Sequence, residues 1–474
     1  MNHTALVTGA SGYIGAQLVP ALLAAGWRVR VLARTPAKLD PAWRDRVEVR
    51  QGDATVADDL SGALAGVDVA YYLLHSMDGR GDYVTRDRDL ARSFAGLARE
   101  ADVGRIVYLS GLHPQDKPLS AHLGSRVEVG EILLASGVPT AVLQAGVVLG
   151  DGSASFDMLR HLAERLPAAV GPRWLRNRIQ PIAVDDVVFY LVRAAELPPE
   201  VNRSFDLGMD EVLTYAEMMD RYARVAGLGG RFVGTVPLLT PGLASHWVGL
   251  VTPVSSGIAR PLVGSLINDA VKHSDDATEV LGEPESGVTG FDEAVRRALR
   301  GVDAHRWRRV SRGVAAAVVA TAVVGSLFTD PGSRWYQTLR KPSWQPPASA
   351  FPIAWTTLYG LIWVASASAI ADLGEEGRDE EASGFTTALG VNLALNAAWS
   401  GVFFRAHALP AATVTALGLA ASSADLARRG FAAGVGKGAA LVPYAAWTAF
   451  ATVLTASIAR LNRRGCVQGW TGSR

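Results

Sequence analysis

The sequence predicts two domains of different fold class: an α/β doubly wound parallel sheet at the N-terminus and an all-α bundle of five transmembrane helices at the C-terminus. The first 300 residues carry charge throughout and open with a short β-type run, Thr4–Thr8, that leads into closely spaced glycines. Residues 348–371, 382–404 and 438–459 contain no Asp, Glu, Lys or Arg. Each of these stretches exceeds the roughly 20 helical residues that cross a bilayer, so we expect a membrane protein with a water-exposed domain.

Composition argues against several classes of protein. The net charge of the 474 residues is +1, which gives no basis for binding nucleic acid. Cys466 is the single cysteine, so one chain can build neither a disulfide framework nor a cysteine metal site, and we expect no bound metal. The first fifteen residues have no basic region followed by an apolar core, as a secretion signal would. We therefore expect the first domain to stay in the cytoplasm.

Three glycines after the first strand predict a phosphate-binding turn. Gly9, Gly12 and Gly15 are interleaved with, and followed by, apolar residues at helical spacing: Ile14, Leu18, Leu22 and Leu23. Glycines here let the backbone turn sharply and approach a pyrophosphate, while the N-terminus of the following helix attracts the anion. The alternative is a glycine-rich turn in an ordinary βα unit.

The end of the second strand indicates which dinucleotide is bound. The predicted strand Arg28–Leu32 ends in Ala33-Arg34, whereas NAD-selective sites have an acidic side chain there that binds the ribose hydroxyls. An Arg accommodates a 2′-phosphate instead, so Arg34 favours NADP(H). A third strand ends in Gly52-Asp53-Ala54, and residues 67–74 form a near-continuous apolar run typical of a buried parallel strand.

The motifs GASGYIG, LAR, GDA, YYLLHSM and IVYLSGL, in this order, resemble those of the extended and atypical short-chain dehydrogenase/reductases, in particular the NmrA-like branch. The resemblance covers roughly residues 4–300, including QPIAVDDV at 180–187 and FDLG at 205–208, and implies a Rossmann-like fold. It implies these dinucleotide contacts: Thr8, Gly9, Ser11, Gly12, Tyr13, Ile14, Gly15, Arg34, Asp53, Ala54, Leu74 and His75.

The sequence departs from this family at the catalytic residues. The family's working enzymes use a Ser, a Tyr about a dozen residues later, and a Lys four residues after the Tyr. Ser110 is present, but the other two positions hold His122 and Arg126, and no lysine in this domain lies four residues after a tyrosine. One interpretation makes His122 a proton donor, because an unperturbed histidine pKa of about 6.5 suits acid/base work, with Arg126 on a ribose or phosphate. The other, which we favour, makes His122 structural and places Arg126 on a charged helix face.

Residues 236–266 are apolar but interrupted by four prolines, which prevent a continuous spanning helix. Three interpretations of this segment are open. It is an ordinary lobe of the soluble domain, it forms an apolar substrate pocket, or it is a surface that rests on the membrane with Trp247 at the interface.

A basic amphipathic helix is predicted next. Its apolar stripe consists of Phe291, Val295, Leu299 and Val302. Its basic residues are Arg296, Arg297 and Arg300. We expect this helix to lie along the inner leaflet, where each basic residue is attracted by about 1 kcal/mol.

Five spans are predicted, over residues 310–328, 350–371, 385–404, 409–425 and 438–460. The loop between the first two contains WYQTLRKPSWQPP at residues 335–347. With the aromatic, asparagine and proline residues of the later spans, this loop resembles the TspO/peripheral-type benzodiazepine receptor family of tryptophan-rich sensory proteins, over residues 312–462. The resemblance implies a pocket for flat apolar molecules, such as a porphyrin or another tetrapyrrole, a sterol or an isoprenoid, lined by Tyr336, Trp344, Trp355, Asn392, Asn396, Trp399, Phe404, Trp447 and Ala451.

The residues themselves leave two interpretations of these polar groups open. Trp355, Trp399 and Trp447 fall within spans, where an indole N–H needs a partner or faces a cavity. Asn392 and Asn396 lie one helical turn apart, so their amides share an inward face. A ligand pocket is one explanation, and interhelical hydrogen bonds worth under about 2 kcal/mol each are the other.

We divide the chain into residues 1–285, the NAD(P)-binding domain; 286–312, the basic amphipathic linker; 313–462, the membrane domain; and 463–474, a tail. Charge alone does not set the topology, because arginines near residue 460 oppose the orientation that those near 306 and 428 favour. Since NADP(H) is a cytoplasmic cofactor, we expect a multi-pass protein of the cell membrane with its N-terminal domain in the cytoplasm. A homodimer through the membrane domain is a further expectation.

Two functions fit these features. The first is a redox-linked sensor or carrier, in which NADP(H) binding in the soluble domain is coupled to ligand binding in the bundle. The second is a membrane-tethered NADPH-dependent reductase of an isoprenoid, sterol or tetrapyrrole. Because the usual Tyr and Lys are missing, the sequence favours the first and leaves enzymatic activity open.

Overall fold

The computed structural model describes residues 3–74, 82–236, 252 and 256–462. The chain divides into two compact units, with the boundary between Ala304 and His305. The N-terminal unit is built on a parallel β-sheet, and the C-terminal unit is helical. Both predicted fold classes are confirmed.

A seven-stranded, entirely parallel sheet forms the centre of the N-terminal unit, in the order β3-β2-β1-β4-β5-β6-β11. The chain runs outward from β1 on one side and from β4 on the other, so their junction is a topological switch point. The strands of this unit are β1 Thr4–Thr8, β2 Arg28–Ala33, β3 Glu48–Gln51, β4 Val69–Tyr72, β5 Arg105–Gly111, β6 Thr140–Ala145, β7 Val148–Leu149, β8 Ala168–Pro172, β9 Arg178–Ile179, β10 Ile182–Ala183, β11 Arg203–Leu207, β12 Leu213–Thr214 and β13 Phe232–Val236.

Helices cover both faces of the sheet because its strands are apolar on both sides. In β1, Val7 packs on the face covered by α1 and α7, and Leu6 on the face covered by α3, α4 and α5. The helices are α1 Tyr13–Ala24, α2 Pro41–Arg44, α3 Ala57–Leu64, α4 Tyr83–Glu100, α5 Ala121–Leu134, α6 Ala154–Arg165, α7 Val184–Ala194, α8 Tyr215–Val225, α9 Ser256–Ser265, α10 Asp276–Leu281 and α11 Phe291–Ala298.

A second apolar core, separate from the sheet, is built by α6, α8, α9 and α11. Phe156 of α6 and Tyr222 of α8 are fully buried in it, with their ring centroids 5.9 Å apart. Leu266, which follows α9, also contributes. The last part of the proline-interrupted segment therefore belongs to this lobe, whereas Trp247 lies outside the described residues.

The expectation of a membrane-surface helix near residue 291 is wrong. Phe291 and Val295 of α11 are fully buried in the second core, and Arg297 pairs with Asp185 (3.2 Å) and Glu293 (3.1 Å) in the same unit. The amphipathic pattern is real, but its apolar stripe packs against protein instead of lipid. Sequence periodicity does not distinguish these two partners.

Among the described residues of the C-terminal unit there are five long apolar helices, as the sequence predicts, and each is long enough to cross a membrane. They are α12 Arg306–Phe328, α14 Ala350–Glu375, α15 Asp379–Ser400, α16 Leu409–Ala433 and α17 Val435–Asn462, with the short helix α13 Arg334–Thr338 in the first loop. A π-helical turn, Gly401–Arg405, continues α15. Most of the helices extend past the predicted spans because charged residues continue the helical hydrogen bonding beyond the apolar stretch.

The most deeply buried charges of the bundle lie near one end of it. Lys437 of α17 and Asp372 of α14 are 3% and 2% exposed and form an ion pair, and the Lys437 ammonium also donates to the carbonyl of Ala433 (2.8 Å). Charged groups removed from water require partners of opposite sign. This pair therefore fixes the register between α14 and α17.

Replacing Lys437 tests this role. We expect Lys437→Met to destabilise the bundle by about 3–5 kcal/mol, because the buried Asp372 carboxylate loses its ammonium. The double variant with Asp372→Asn should recover most of the loss. Thermal unfolding of the purified chain in detergent measures both effects, and a single variant as stable as the unchanged protein would contradict this role.

Candidate dinucleotide site and the aromatic end of the bundle

A cavity of about 630 Å³ opens at the carboxyl ends of β1, β2, β4 and β5, at the switch point of the sheet. All of the dinucleotide contacts implied by the sequence line it except His75, which lies outside the described residues. Ser110 at the end of β5, and His122 and Arg126 of α5, line the same cavity. Chain segments more than 100 residues apart thus meet at one site.

The glycine turn between β1 and α1 leaves no room for side chains. Gly9 has φ +73°, and a Cβ atom there would lie 2.5 Å from the carbonyl oxygen of Leu73. A Cβ atom on Gly15 would lie 2.4 Å from the carbonyl oxygen of Gly9. Gly12 is the N-cap of α1 and provides no side-chain hydrogen bond, and the first turn has no acidic residue. The first N–H groups of α1 therefore have no side-chain acceptor from the cap or the first turn. This geometry fits a dinucleotide pyrophosphate.

Two charged residues lie where the adenosine end of a dinucleotide would bind. Arg34 is exposed directly after β2 and lines the cavity. The Asp53 carboxylate accepts hydrogen bonds from the N–H (3.0 Å) and hydroxyl (2.9 Å) of Thr55. The Thr55 N–H, more than any other group, holds the Asp53 pKa below its usual value. Asp53 is thus ionised and shapes the turn, while the Arg34 guanidinium remains available to an anion.

The three residues at the family's catalytic positions are close together. The Ser110 hydroxyl donates weakly to the backbone carbonyl of Arg126 (3.4 Å), and the Tyr108 hydroxyl donates to the same carbonyl (3.2 Å). Burial, and secondarily the nearby Arg126 guanidinium, lower the His122 pKa to about 4. His122 is therefore a neutral imidazole at neutral pH and holds no readily transferred proton.

The far wall of the cavity was not predicted from the sequence. It is apolar and comes mainly from the second core: Met158, Ile179, Tyr215, Leu262 and Leu266 line it. These residues lie on four different elements or their ends, and none belongs to a local motif. The apolar character of residues 236–266 was the one available signal, and it pointed only to Leu262 and Leu266.

In the second candidate region, aromatic side chains from the first loop and three long helices pack together. Trp344 packs edge-on against Phe450, with ring centroids 5.9 Å apart, and Phe450 packs against Trp447 (5.5 Å). Trp399 stacks on Phe403 (5.2 Å). Tyr336, Phe351, Trp355 and Phe404 have ring contacts in the same region. Ala451, predicted with them, lies half-buried one turn after Trp447.

The two asparagines behave differently from these aromatic residues. Asn396 accepts from Tyr359 (3.0 Å) and donates to Tyr444 (3.1 Å), while Asn392 accepts from Tyr444 (2.8 Å) and donates to Ser423 (3.0 Å). Both amides are thus engaged in interhelical hydrogen bonds, as in the second interpretation of the sequence. The indole N–H of Trp399, in contrast, is buried and has no acceptor among the described residues.

These observations define a membrane protein with a nicotinamide-dinucleotide-binding domain. A family model described as NAD(P)H-binding matches residues 9–144. The N-terminal fold is also that of the Citrobacter sp. triphenylmethane reductase, with a TM-score of 0.50 at 19% sequence identity over 63% of this chain and 99% of that one. This likeness concerns the fold alone.

The chain belongs to the TspO/MBR family through its C-terminal unit. The family model matches residues 314–461. Protein CrtK of Rhodobacter capsulatus is 34% identical over 31% of this chain and 88% of its own length, and the human translocator protein is 36% identical over 32% and 86%. The N-terminal unit is similar to a ceramide reductase of Caulobacter vibrioides, which is 29% identical over 54% of this chain and 81% of its own length.

The low pKa of His122 predicts a pH-dependent stability. Its folded-state pKa of about 4 lies below the unfolded value of about 6.5, so its contribution to stability is complete above pH 6.5 and is lost as the pH falls toward 4. Between pH 7 and 5 the loss should be about 2 kcal/mol, and His122→Gln should not show it. Unfolding measured at both pH values checks this, and parallel losses in the two proteins would contradict it.

Proposed function

We propose that the N-terminal unit is an NADP(H)-dependent reductase of an apolar, lipid-like carbonyl compound, and that the bundle holds it at the membrane and binds apolar ligands. One observation carries the proposal: a single cavity joins the glycine turn to the apolar wall formed by the second core. A protein that only sensed the dinucleotide would have no use for this wall. Sites with apolar linings and few polar groups typically bind apolar molecules.

The similarity to a ceramide reductase supports the same class of substrate. That relative's name denotes reduction of a long-chain lipid, and the similarity extends through the N-terminal unit, beyond the dinucleotide turn. A lipid substrate also explains why the reductase is joined to membrane helices, since its substrate partitions into the bilayer. The substrates considered from the sequence, isoprenoids, sterols and tetrapyrroles, share this apolar character.

Residues of this chain would position the reactants. Bound NADPH would supply a hydride for a carbonyl carbon, and the alkoxide oxygen formed would take its proton from solvent water at the cavity mouth, relayed by the Ser110 hydroxyl. The glycine turn and Arg34 would hold the dinucleotide, and the apolar wall would exclude water from the substrate. Ser110 makes only a long hydrogen bond, so its hydroxyl is available to the carbonyl oxygen. Neutral His122 adds an N–H donor but no acid, and we assign it a positioning role beside Arg126.

A second candidate is the redox-linked sensor, and two observations favour it. His122 offers no ionised acid near neutral pH, which predicts slow turnover. The unpartnered Trp399 indole in the aromatic region is suited to a polar atom of a flat ligand such as a porphyrin or sterol. In this function NADP(H) acts through its binding energy on the ligand affinity of the bundle.

We further propose that the protein lies in the cell membrane with its N-terminal unit in the cytoplasm, where NADP(H) is available. The domain boundary is proposed after α11, because that helix packs in the N-terminal unit. A homodimer through the membrane helices completes this arrangement.

Cofactor preference is tested at Arg34. We expect the chain to bind NADPH more tightly than NADH, and Arg34→Ala to weaken NADPH by about 1.5–3 kcal/mol, because a charged hydrogen bond to the 2′-phosphate is lost. Arg28→Ala, at the opposite end of β2, is the matched control and should change neither affinity. Titration of both cofactors measures this, and equal affinities in the unmutated chain would rule out the preference.

Activity is tested with NADPH and ketones of increasing chain length. We expect 2-tridecanone to be reduced in preference to 2-butanone, since each buried methylene contributes about 0.8 kcal/mol. NADPH absorbance follows the reaction in the full chain reconstituted in nanodiscs. If NADPH is not oxidised but changes protoporphyrin affinity by about 1–3 kcal/mol, the sensor replaces the reductase as the function.

A further inference from the structure

Tyr215 is a fully buried tyrosine in the far wall of the cavity. It is the first residue of α8, follows β12 directly and is 1% exposed. β12 pairs with β9 and brings Leu213 opposite Ile179, another residue of this wall. The capping box formed by Thr214 and Glu217 fixes the first turn of α8, so the position of Tyr215 is well defined.

The hydroxyl of Tyr215 is buried and has no hydrogen-bond partner among the described residues. Burial alone raises its pKa, so the group stays protonated and requires an acceptor. An unsatisfied buried donor destabilises a protein by about 1–3 kcal/mol. Such a group persists where a ligand supplies the missing acceptor.

Three serine hydroxyls of the cavity lining, in contrast, are already engaged. The hydroxyls of Ser153 and Ser155 donate to the carbonyl of Val148, at 2.9 and 3.2 Å. The Ser265 hydroxyl donates to the carbonyl of Pro261 (3.1 Å). These groups have acceptors without a ligand, and the Tyr215 hydroxyl does not.

The same helix contains an internal comparison. Tyr222, two turns further along α8, is also fully buried, but its hydroxyl donates to the carboxylate of Glu164 (2.6 Å). Two tyrosines of equal burial on one helix thus differ in whether the protein supplies a hydrogen-bond acceptor for the hydroxyl. Of these two tyrosines of α8, Tyr215 lines the cavity and Tyr222 does not.

We propose that the Tyr215 hydroxyl recognises the substrate by donating a hydrogen bond to an oxygen set within its apolar body. The substrate class is therefore an apolar chain or ring system with an internal ketone or amide oxygen, as opposed to a pure hydrocarbon or a sugar. This inference rests on the proposed function for the presence of a carbonyl group. It makes Tyr215 a specificity-determining residue and assigns it no proton transfer.

The experiment compares 7-tridecanone with tridecane, which differ in the carbonyl oxygen. Binding is measured as the shift in the unfolding midpoint of the full chain in nanodiscs, saturated with NADP⁺ so that no turnover occurs. The unchanged protein should bind the ketone about 10-fold more tightly than the alkane. Tyr215→Phe should abolish this preference and leave the alkane and NADP⁺ affinities unchanged, whereas Tyr222→Phe should retain it.

Stability of the ligand-free protein distinguishes recognition from a structural role. Tyr215→Phe should unfold at the same or a higher temperature than the unchanged protein, because no hydrogen bond is lost, and Tyr222→Phe should unfold at a lower one. The proposal is overturned if the unchanged protein shows no ketone preference, if Tyr215→Phe keeps it, or if Tyr215→Phe weakens NADP⁺ instead. Ketone binding without NADPH oxidation would refute the reductase function and leave the recognition by Tyr215 intact.

Discussion

The approach of the Gly9 backbone to the carbonyl of Leu73 is the constraint on which the dinucleotide site depends. The left-handed conformation of Gly9 lets β1 end and α1 begin within a few residues, directly beside the end of β4. Thr8 strengthens the same junction, since its hydroxyl donates to the carbonyl of Tyr71 (2.7 Å). Any side chain on Gly9 would separate the two strand ends and close the space that the pyrophosphate requires.

Polar groups within the bundle are satisfied differently at different levels. The asparagines, the tyrosines at 359 and 444, and the Lys437–Asp372 pair find partners on neighbouring helices, so they specify how the helices pack. Near the first loop the π-helical turn places Phe403 and Phe404 among the tryptophans, and the indole N–H of Trp399 has no acceptor in the described part of the chain. These polar groups therefore serve helix packing, whereas the ligand binding that we propose for the bundle involves its aromatic region.

The cavity of the N-terminal unit combines two surfaces with different origins. Its dinucleotide side is formed by strand ends and the glycine turn, and its far side by the second core. The missing Tyr and Lys of the related enzymes affect only the first surface. With His122 neutral, the recognition of an oxygen-containing lipid that we propose would fall to hydroxyl groups such as those of Ser110 and Tyr215.

The sequence by itself determined the properties that depend on neighbours in the chain. The glycine turn, the exposed Arg34 after β2 and the five spans follow from local spacing and composition, because turn geometry and helix hydropathy involve residues only a few positions apart. Tertiary structure decided which groups meet. It buried the amphipathic helix at Phe291 against protein, saturated Asn392 and Asn396 with partners some 30 to 50 residues away, and placed Tyr215 in the cavity without an acceptor. These outcomes depend on long-range packing. In the sequence, an amphipathic stripe looks the same whether it packs on protein or on lipid, and an inward amide looks the same whether it binds a ligand or a neighbouring helix. A buried tyrosine likewise looks the same with or without an acceptor.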